Sequence, residues 1–157
     1  MAKTSRATQT LVKLGIAFTV HEYDYDSDAT SIGLQAAEAL SEPPSRVLKT
    51  LMATLDGKPV CAVLPSDSEV SMKKLAAALG GKSAAMMKPA DAERLTGYHV
   101  GGISPFGQRK AVPTVIEQAA LGEPLVYVNG GQRGLQIRLD PKDAVQALKA
   151  VTAPIAA

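Results

Sequence analysis

The chain has 157 residues, 46% of them hydrophobic and 20% charged, with a formal net charge of +2. Those proportions suit one compact body with a real core and exclude a disordered chain, which needs low hydrophobicity and high net charge. One cysteine and two histidines exclude an internal disulfide and a structural zinc site, and no cofactor is expected. Met1 to Thr10 is polar and carries Lys3 and Arg6 with no apolar segment behind it, and no window approaches the ~20 apolar residues of a bilayer span. A cytoplasmic protein that does not enter a membrane is expected.

In chain order, Ser5 to Leu14 has helical spacing, and Gly15 stands where a left-handed cap belongs. Phe18 to Tyr23 alternates as a strand does and runs into the acids Glu22, Asp24, Asp26 and Asp28. Ser31 to Leu40 is Ala-rich, with Ser31 as a candidate N-cap, and Pro43-Pro44 stops it. Val47 to Leu55, Asp56-Gly57 and Pro59 to Leu64 form the strongest hairpin signal, because Asp-Gly suits a type I′ turn. Ser71 to Leu79 before Gly80-Gly81, and Lys88 to Leu95 before Gly97, read as helices. Val112 to Ile116, Leu125 to Val128 and Leu135 to Leu139 are short β-type runs. Asp140-Pro141 opens a closing helix through about Ala150. The Ala-rich tail 152–157 is expected to fray. Helices and strands intersperse without a βαβ rhythm, so the class is α+β and residues 1–157 form a single domain.

The charge is polarised: four acids fall between Glu22 and Asp28, while Lys73, Lys74, Lys82 and Lys88 fall between Val70 and Ala90, where there is no acid. Taken alone this reads as solvated surface.

No protein nucleophile with its base is evident. His21 lies in a strand and His99 in a glycine loop, outside any G-x-S-x-G context. Cys61 lies mid-strand, where a small buried thiol is the expected occupant. Two glycine-rich stretches stand out: Gly97 to Gly107 holds four glycines in eleven residues, and Asn129 to Gly134 three in six. Neither matches a Walker or a dinucleotide loop, and tight turns between strands account for them equally well. Lys49 is isolated among apolar neighbours, so its ammonium either snorkels outward or enters a pocket holding an anionic group.

These pieces occur together, in order, in one family. His21-Glu22-Tyr23-Asp24, Gly33 with Ala36-Ala37-Glu38, Leu48-Lys49-Thr50-Leu51, Thr96 to Pro105, and Gly130-Gly131-Gln132-Arg133-Gly134-Leu135 closely resemble the YbaK-type aminoacyl-tRNA deacylases. Related modules form the editing domain inserted in bacterial prolyl-tRNA synthetases. The resemblance runs from about Thr8 to Ala150 and is most specific at Lys49-Thr50 and Thr96 to Pro105. It implies a mixed, strongly curled, barrel-like sheet flanked by helices. It also implies trans-acting removal of cysteine mischarged onto proline tRNA, with the substrate's own thiol attacking its carbonyl. Such a second, hydrolytic site is needed because a pocket discriminates poorly between compact apolar groups.

By that resemblance Lys49 and Gly101 are the catalytic positions, Lys49 holding the tRNA 3′ end or its ester and the Gly101 backbone lining the aminoacyl pocket. Tyr23, Ile32, Thr50, Gly102, Ile103, Asn129, Gly131 and Gln136 are implied as substrate-binding positions. Ser104 and Pro105 shape a loop around the terminal adenosine, and Arg133 and the lysines contact phosphate. Ile32 stands where relatives often carry Phe, Asn129 where Ser is common, and Gln136 at a position that can be Asp, which bears on amino-acid preference. The implied partners are the aminoacylated 3′ end of tRNA and prolyl-tRNA synthetase; no DNA and no membrane are involved. The competing readings are a deacylase for alanine or another small amino acid, and a non-catalytic module that binds tRNA or a synthetase.

Overall fold

The computed structural model describes residues 4–26 and 32–157, apart from the side chains of Ile32 and Gly33. The Ser31 cap, the Ile32 side chain and Asp28 lie outside the described residues. Helix α1 (Arg6–Lys13) opens on a capping box in which Ser5 and Thr8 satisfy each other's backbone N–H groups. Strand β1 (Thr19–Glu22) follows, then α2 (Ile32–Ala39) and a single 3-10 turn (Pro44–Arg46). The hairpin is β2 (Leu48–Leu55) and β3 (Lys58–Pro65), joined by the two residues Asp56 and Gly57 at φ +51° and +83°, as the Asp-Gly pair requires.

Next come α3 (Met72–Ala78), capped by Ser71, β4 (Ala84–Met86), α4 (Pro89–Thr96), β5 (Thr114–Glu117), β6 (Val126–Asn129), β7 (Leu135–Leu139), α5 (Pro141–Leu148) and β8 (Val151–Ala153). Asp140 accepts the Lys142 N–H at 2.9 Å and so caps α5. Among the described residues no helix is long and apolar enough to cross a membrane.

The strands form two sheets. The larger runs β4-β2-β3-β5-β8 and the smaller β1-β7-β6. Alternation along β3 places Cys61 and Val63 on one face and Val60, Ala62 and Leu64 on the other, and all five are buried. Cys61 and Val63, with Leu48 and Met52, join Val126, Val128, Ile137 and Leu139 of the smaller sheet in the main core. Val60, Ala62 and Leu64 pack with Leu75 of α3 and Ile155 in a second cluster. Covered on both faces, β3 is the axis of the larger sheet.

Two expectations are corrected. The strongly curled, barrel-like sheet is absent: neither sheet closes on itself. Val47 makes one isolated parallel bridge to Tyr127, and beyond it β2 parts from the smaller sheet. The gap is a cavity to which both sheets contribute walls, so the backbone pairing that would complete a barrel cannot continue there. The tail is not frayed either. β8 pairs in parallel with β5, Ile155 is fully buried, and Ala156 bridges Val70. Val151 and Thr152 are β-branched and suit a strand, and the burial of Ile155 holds the segment down.

Candidate active site

A cavity of about 280 Å³ opens where the two sheets part. Five consecutive residues of β2, Leu48 to Met52, form one wall; Met86, Met87, Pro89 and Ala92 form the next; Val100, Gly101 and Ile103 come from the first glycine loop, Asn129 from the end of β6 and Gln136 from β7. Asn129 and Gln136 are cross-strand partners in the smaller sheet, which brings both amides to the same wall.

Lys49 carries the one ionisable side chain among these residues. It is half-buried, and burial lowers its pKa below the ordinary lysine value, with Glu69 and Asp67 pulling back in the opposite direction. Among the described residues three buried polar atoms lack hydrogen-bond partners: the Thr50 hydroxyl and the Gln136 Oε1, both on residues of the cavity wall, and the Tyr23 hydroxyl. Tyr23 stands close enough to the Gln136 amide to feel it, although no hydrogen bond is completed. Burial raises the Tyr23 phenol above its ordinary pKa, against the pull of that amide. A folded protein rarely leaves such atoms unpaired, at a cost of roughly 1–3 kcal/mol each, unless a ligand completes them.

The first glycine loop starts where Gly97, at φ +80°, ends α4. The Glu93 carboxylate accepts the Val100 N–H at 2.8 Å, and the Gly102 N–H donates to the His99 carbonyl at 2.8 Å. His99 itself is exposed, its Nδ1 3.6 Å from Glu93. In the second loop Gly131 sits at φ +94° and its N–H donates to Asn129 Oδ1 at 2.7 Å. Arg133 joins the loops through its Nε, which donates to the Val100 carbonyl at 3.0 Å, and its guanidinium lies 5.5 Å from the Tyr25 ring centre.

Of the residues singled out in the sequence, Lys49, Thr50, Gly101, Ile103, Asn129 and Gln136 meet at the cavity, and Tyr23 backs Gln136. Gly102, Gly131 and Arg133 stand behind the wall in the packing between the loops. Ser104 and Pro105 turn inward instead of bordering the cavity. Ser104 is fully buried, and its Oγ accepts the Phe106 N–H at 3.2 Å. Pro105 packs beside Leu48 and Val63. Cys61 is buried and its thiol is pushed up to about 12, and His21 packs edge-on against Tyr127. The residues that sequence reasoning missed are the apolar walls, Met52, Met86 and Met87 above all. The adjacent Met86-Met87 pair was the available signal, since soft side chains are common at adaptable binding surfaces.

The structural relatives agree with this fold. A candidate trans-editing enzyme for prolyl-tRNA synthetase superposes with TM-score 0.85 at 22% identity, covering 97% of this chain and 95% of that one. A hypothetical protein superposes with TM-score 0.86 at 21% identity, covering 98% and 100%. In sequence, a candidate Cys-tRNA(Pro)/Cys-tRNA(Cys) deacylase, EbsC of Enterococcus faecalis, is 37% identical over 129 residues, which are 81% of this chain and 77% of that protein. The model of the aminoacyl-tRNA editing domain matches residues 27–147. By that match and that identity, the chain belongs to the aminoacyl-tRNA editing domain family.

Proposed function

We propose that this chain is a single-domain, trans-acting aminoacyl-tRNA deacylase of the cytoplasm that removes cysteine mischarged onto proline tRNA. The observation that carries this reading is that Lys49 shares one apolar cavity with Thr50 and Gln136, each of which holds a buried polar atom without a hydrogen-bond partner among the described residues. A volume of about 280 Å³ lies just under the roughly 300–1,000 Å³ of pockets that enclose drug-sized ligands. It suits a small aminoacyl group, with the terminal nucleotide left outside and the lysines of residues 73–88 available to phosphate.

The chemistry follows from what lines the cavity. Among the described residues the lining contains no Ser, Cys or His, and the Thr50 hydroxyl has no base bonded to it. The nucleophile is therefore assigned to the substrate. The cysteine sulfur attacks its own ester carbonyl, a C–S bond forms, the bond to the ribose oxygen breaks, and the thiol proton ends on that oxygen. The products are a cyclic thioester and free tRNA. The protein's share is to fold the aminoacyl group onto itself and to place the Lys49 ammonium against charge developing on oxygen.

The test is a panel of Cys-, Ser-, Ala- and Pro-charged proline tRNAs, with product analysis. Cysteine release as the cyclic thioester, with serine spared, is the expected result. The apolar methionine walls favour a second reading, an editor of alanine, and fast alanine release on the same panel selects it. Prolyl-tRNA synthetase is the proposed partner, supplying the tRNA selectivity that a site for the 3′ end lacks.

A further inference from the structure

One side chain ties the two glycine loops together. Asn129 is 8% exposed. Its Oδ1 accepts the Gly131 N–H at 2.7 Å, and its Nδ2 donates to the Gly101 carbonyl at 3.1 Å. Gly131 and Gly101 sit at φ +94° and +91°, in the left-handed region that other residues avoid. The carbonyl of Gly101 and the N–H of Gly102 share one planar peptide, and that N–H is bonded to His99. Asn129 therefore grips the second side of a peptide already held on the first. The loops are also in close contact there: a Cβ on Gly102 would come within 3.0 Å of the Arg133 nitrogen and the Gln132 carbonyl carbon.

We infer that Asn129 is a positioning residue whose amide sets the orientation of the Gly101 peptide on the cavity wall, and that its polar atoms serve the two loops first and the substrate second. The inference rests on the reading of this cavity as the place where an aminoacyl ester is cleaved. It assigns to Asn129 a role different from the direct substrate contact expected of it.

The distinguishing variant is Asn129→Asp. An ionised carboxylate keeps the acceptor for Gly131 but sets a negative charge against the Gly101 carbonyl. A protonated carboxyl restores a donor there, and burial raises the pKa at which it forms. At neutral pH kcat on Cys-charged tRNA should fall about tenfold or more, the equivalent of about 1.4 kcal/mol at the transition state, with KM nearly unchanged. The ratio of variant to wild-type kcat should then climb several-fold as the pH is lowered to about 5. Asn129→Leu, which has no ionisable group, should be impaired at every pH.

A flat ratio for Asn129→Asp, or wild-type kcat in Asn129→Leu, overturns the inference. A wild-type protein that cleaves no charged tRNA overturns the functional reading instead. The positioning claim is then decided by the amide NMR signals of Gly101, Gly102 and Gly131. In Asn129→Asp these should move at neutral pH and return toward wild type in acid, and signals that do not move refute it.

Discussion

Lys49 and Gln136 face one cavity from different sheets, the lysine from β2 and the amide from β7. The ammonium is desolvated there without an ion pair among the described residues, and its lowered pKa records the penalty. Because the folded state holds that proton less tightly than the unfolded chain, Lys49 contributes a stability term that rises with pH between the lowered value and 10.5. Lys49→Met should therefore raise or hold the melting temperature at neutral pH while lowering deacylation about 100-fold or more, the scale of losing one electrostatic group at a transition state. A variant that melts lower and keeps its activity contradicts both halves.

Tyr23 and Thr50 carry buried hydroxyls without hydrogen-bond partners among the described residues. Tyr23→Phe and Thr50→Val should each leave stability equal or improved, by up to about 1 kcal/mol, because a buried unpaired polar atom is removed. Each should also weaken catalysis. Denaturant titration and kcat/KM on the same preparations check the two effects together.

Gly101 sits at φ +91°, so Gly101→Val places a β-branched residue in backbone space it rarely adopts. Activity should be lost, with a stability cost of about 1–2 kcal/mol from the backbone alone. Chemical denaturation and the charged-tRNA assay measure the pair.

Cys61 is fully buried with its thiol pushed up to about 12. It should resist alkylation in the native protein at neutral pH and react only on unfolding, since the thiolate is the reactive form. Cys61→Ala should keep full deacylase activity, as expected if the reacting sulfur belongs to the substrate. A large loss of kcat in that variant would return a protein thiol to the mechanism.

Glu117 anchors the tail. Desolvation would raise its pKa, but the N–H groups of Ala119, Ile155 and Ala156 together with Lys74 outweigh it, and the net shift is downward. A carboxylate held below its ordinary 4.5 contributes stability above that value and loses it as pH falls through the lowered one. Acid should loosen the tail first, read as early amide exchange at 153–156. Glu117→Gln should make the protection of those amides, exchange measured against the intrinsic rate at each pH, nearly independent of pH.

Much of this architecture was legible where a single residue does a local job. Ser5, Ser71 and Asp140 cap helices because their short side chains reach backbone N–H groups. Asp56-Gly57 turns the hairpin because both residues accept positive φ. Lys49 stood out because a mid-strand lysine among apolar neighbours needs a reason. β4 was not legible: Ala84-Ala85-Met86 has no β-branched residue and is a strand only because Ala53 to Leu55 offers it an edge. β8 was hidden for a different reason: Val151 and Thr152 suit a strand, but a run of three residues in an Ala-rich tail becomes one only by pairing with β5. Leu14, spaced three from Leu11, is exposed, and Ala7, four residues before Leu11, takes the core position instead. Ser104 and Pro105 carried a motif whose burial is a matter of tertiary packing, which local patterns do not encode.

The pairing of β1 with β7 has a consequence for how the protein is made. Thr19 to Glu22 find their partners at Leu135 to Arg138, so β1, once it leaves a ribosome, has no such partner until more than a hundred further residues have emerged. At roughly 5–20 residues per second that wait is on the order of 6 to 23 seconds. Through that interval β1 is an unpaired edge, and the hairpin of β2 and β3, whose ladder closes over two residues, is the natural seed on which later strands collect.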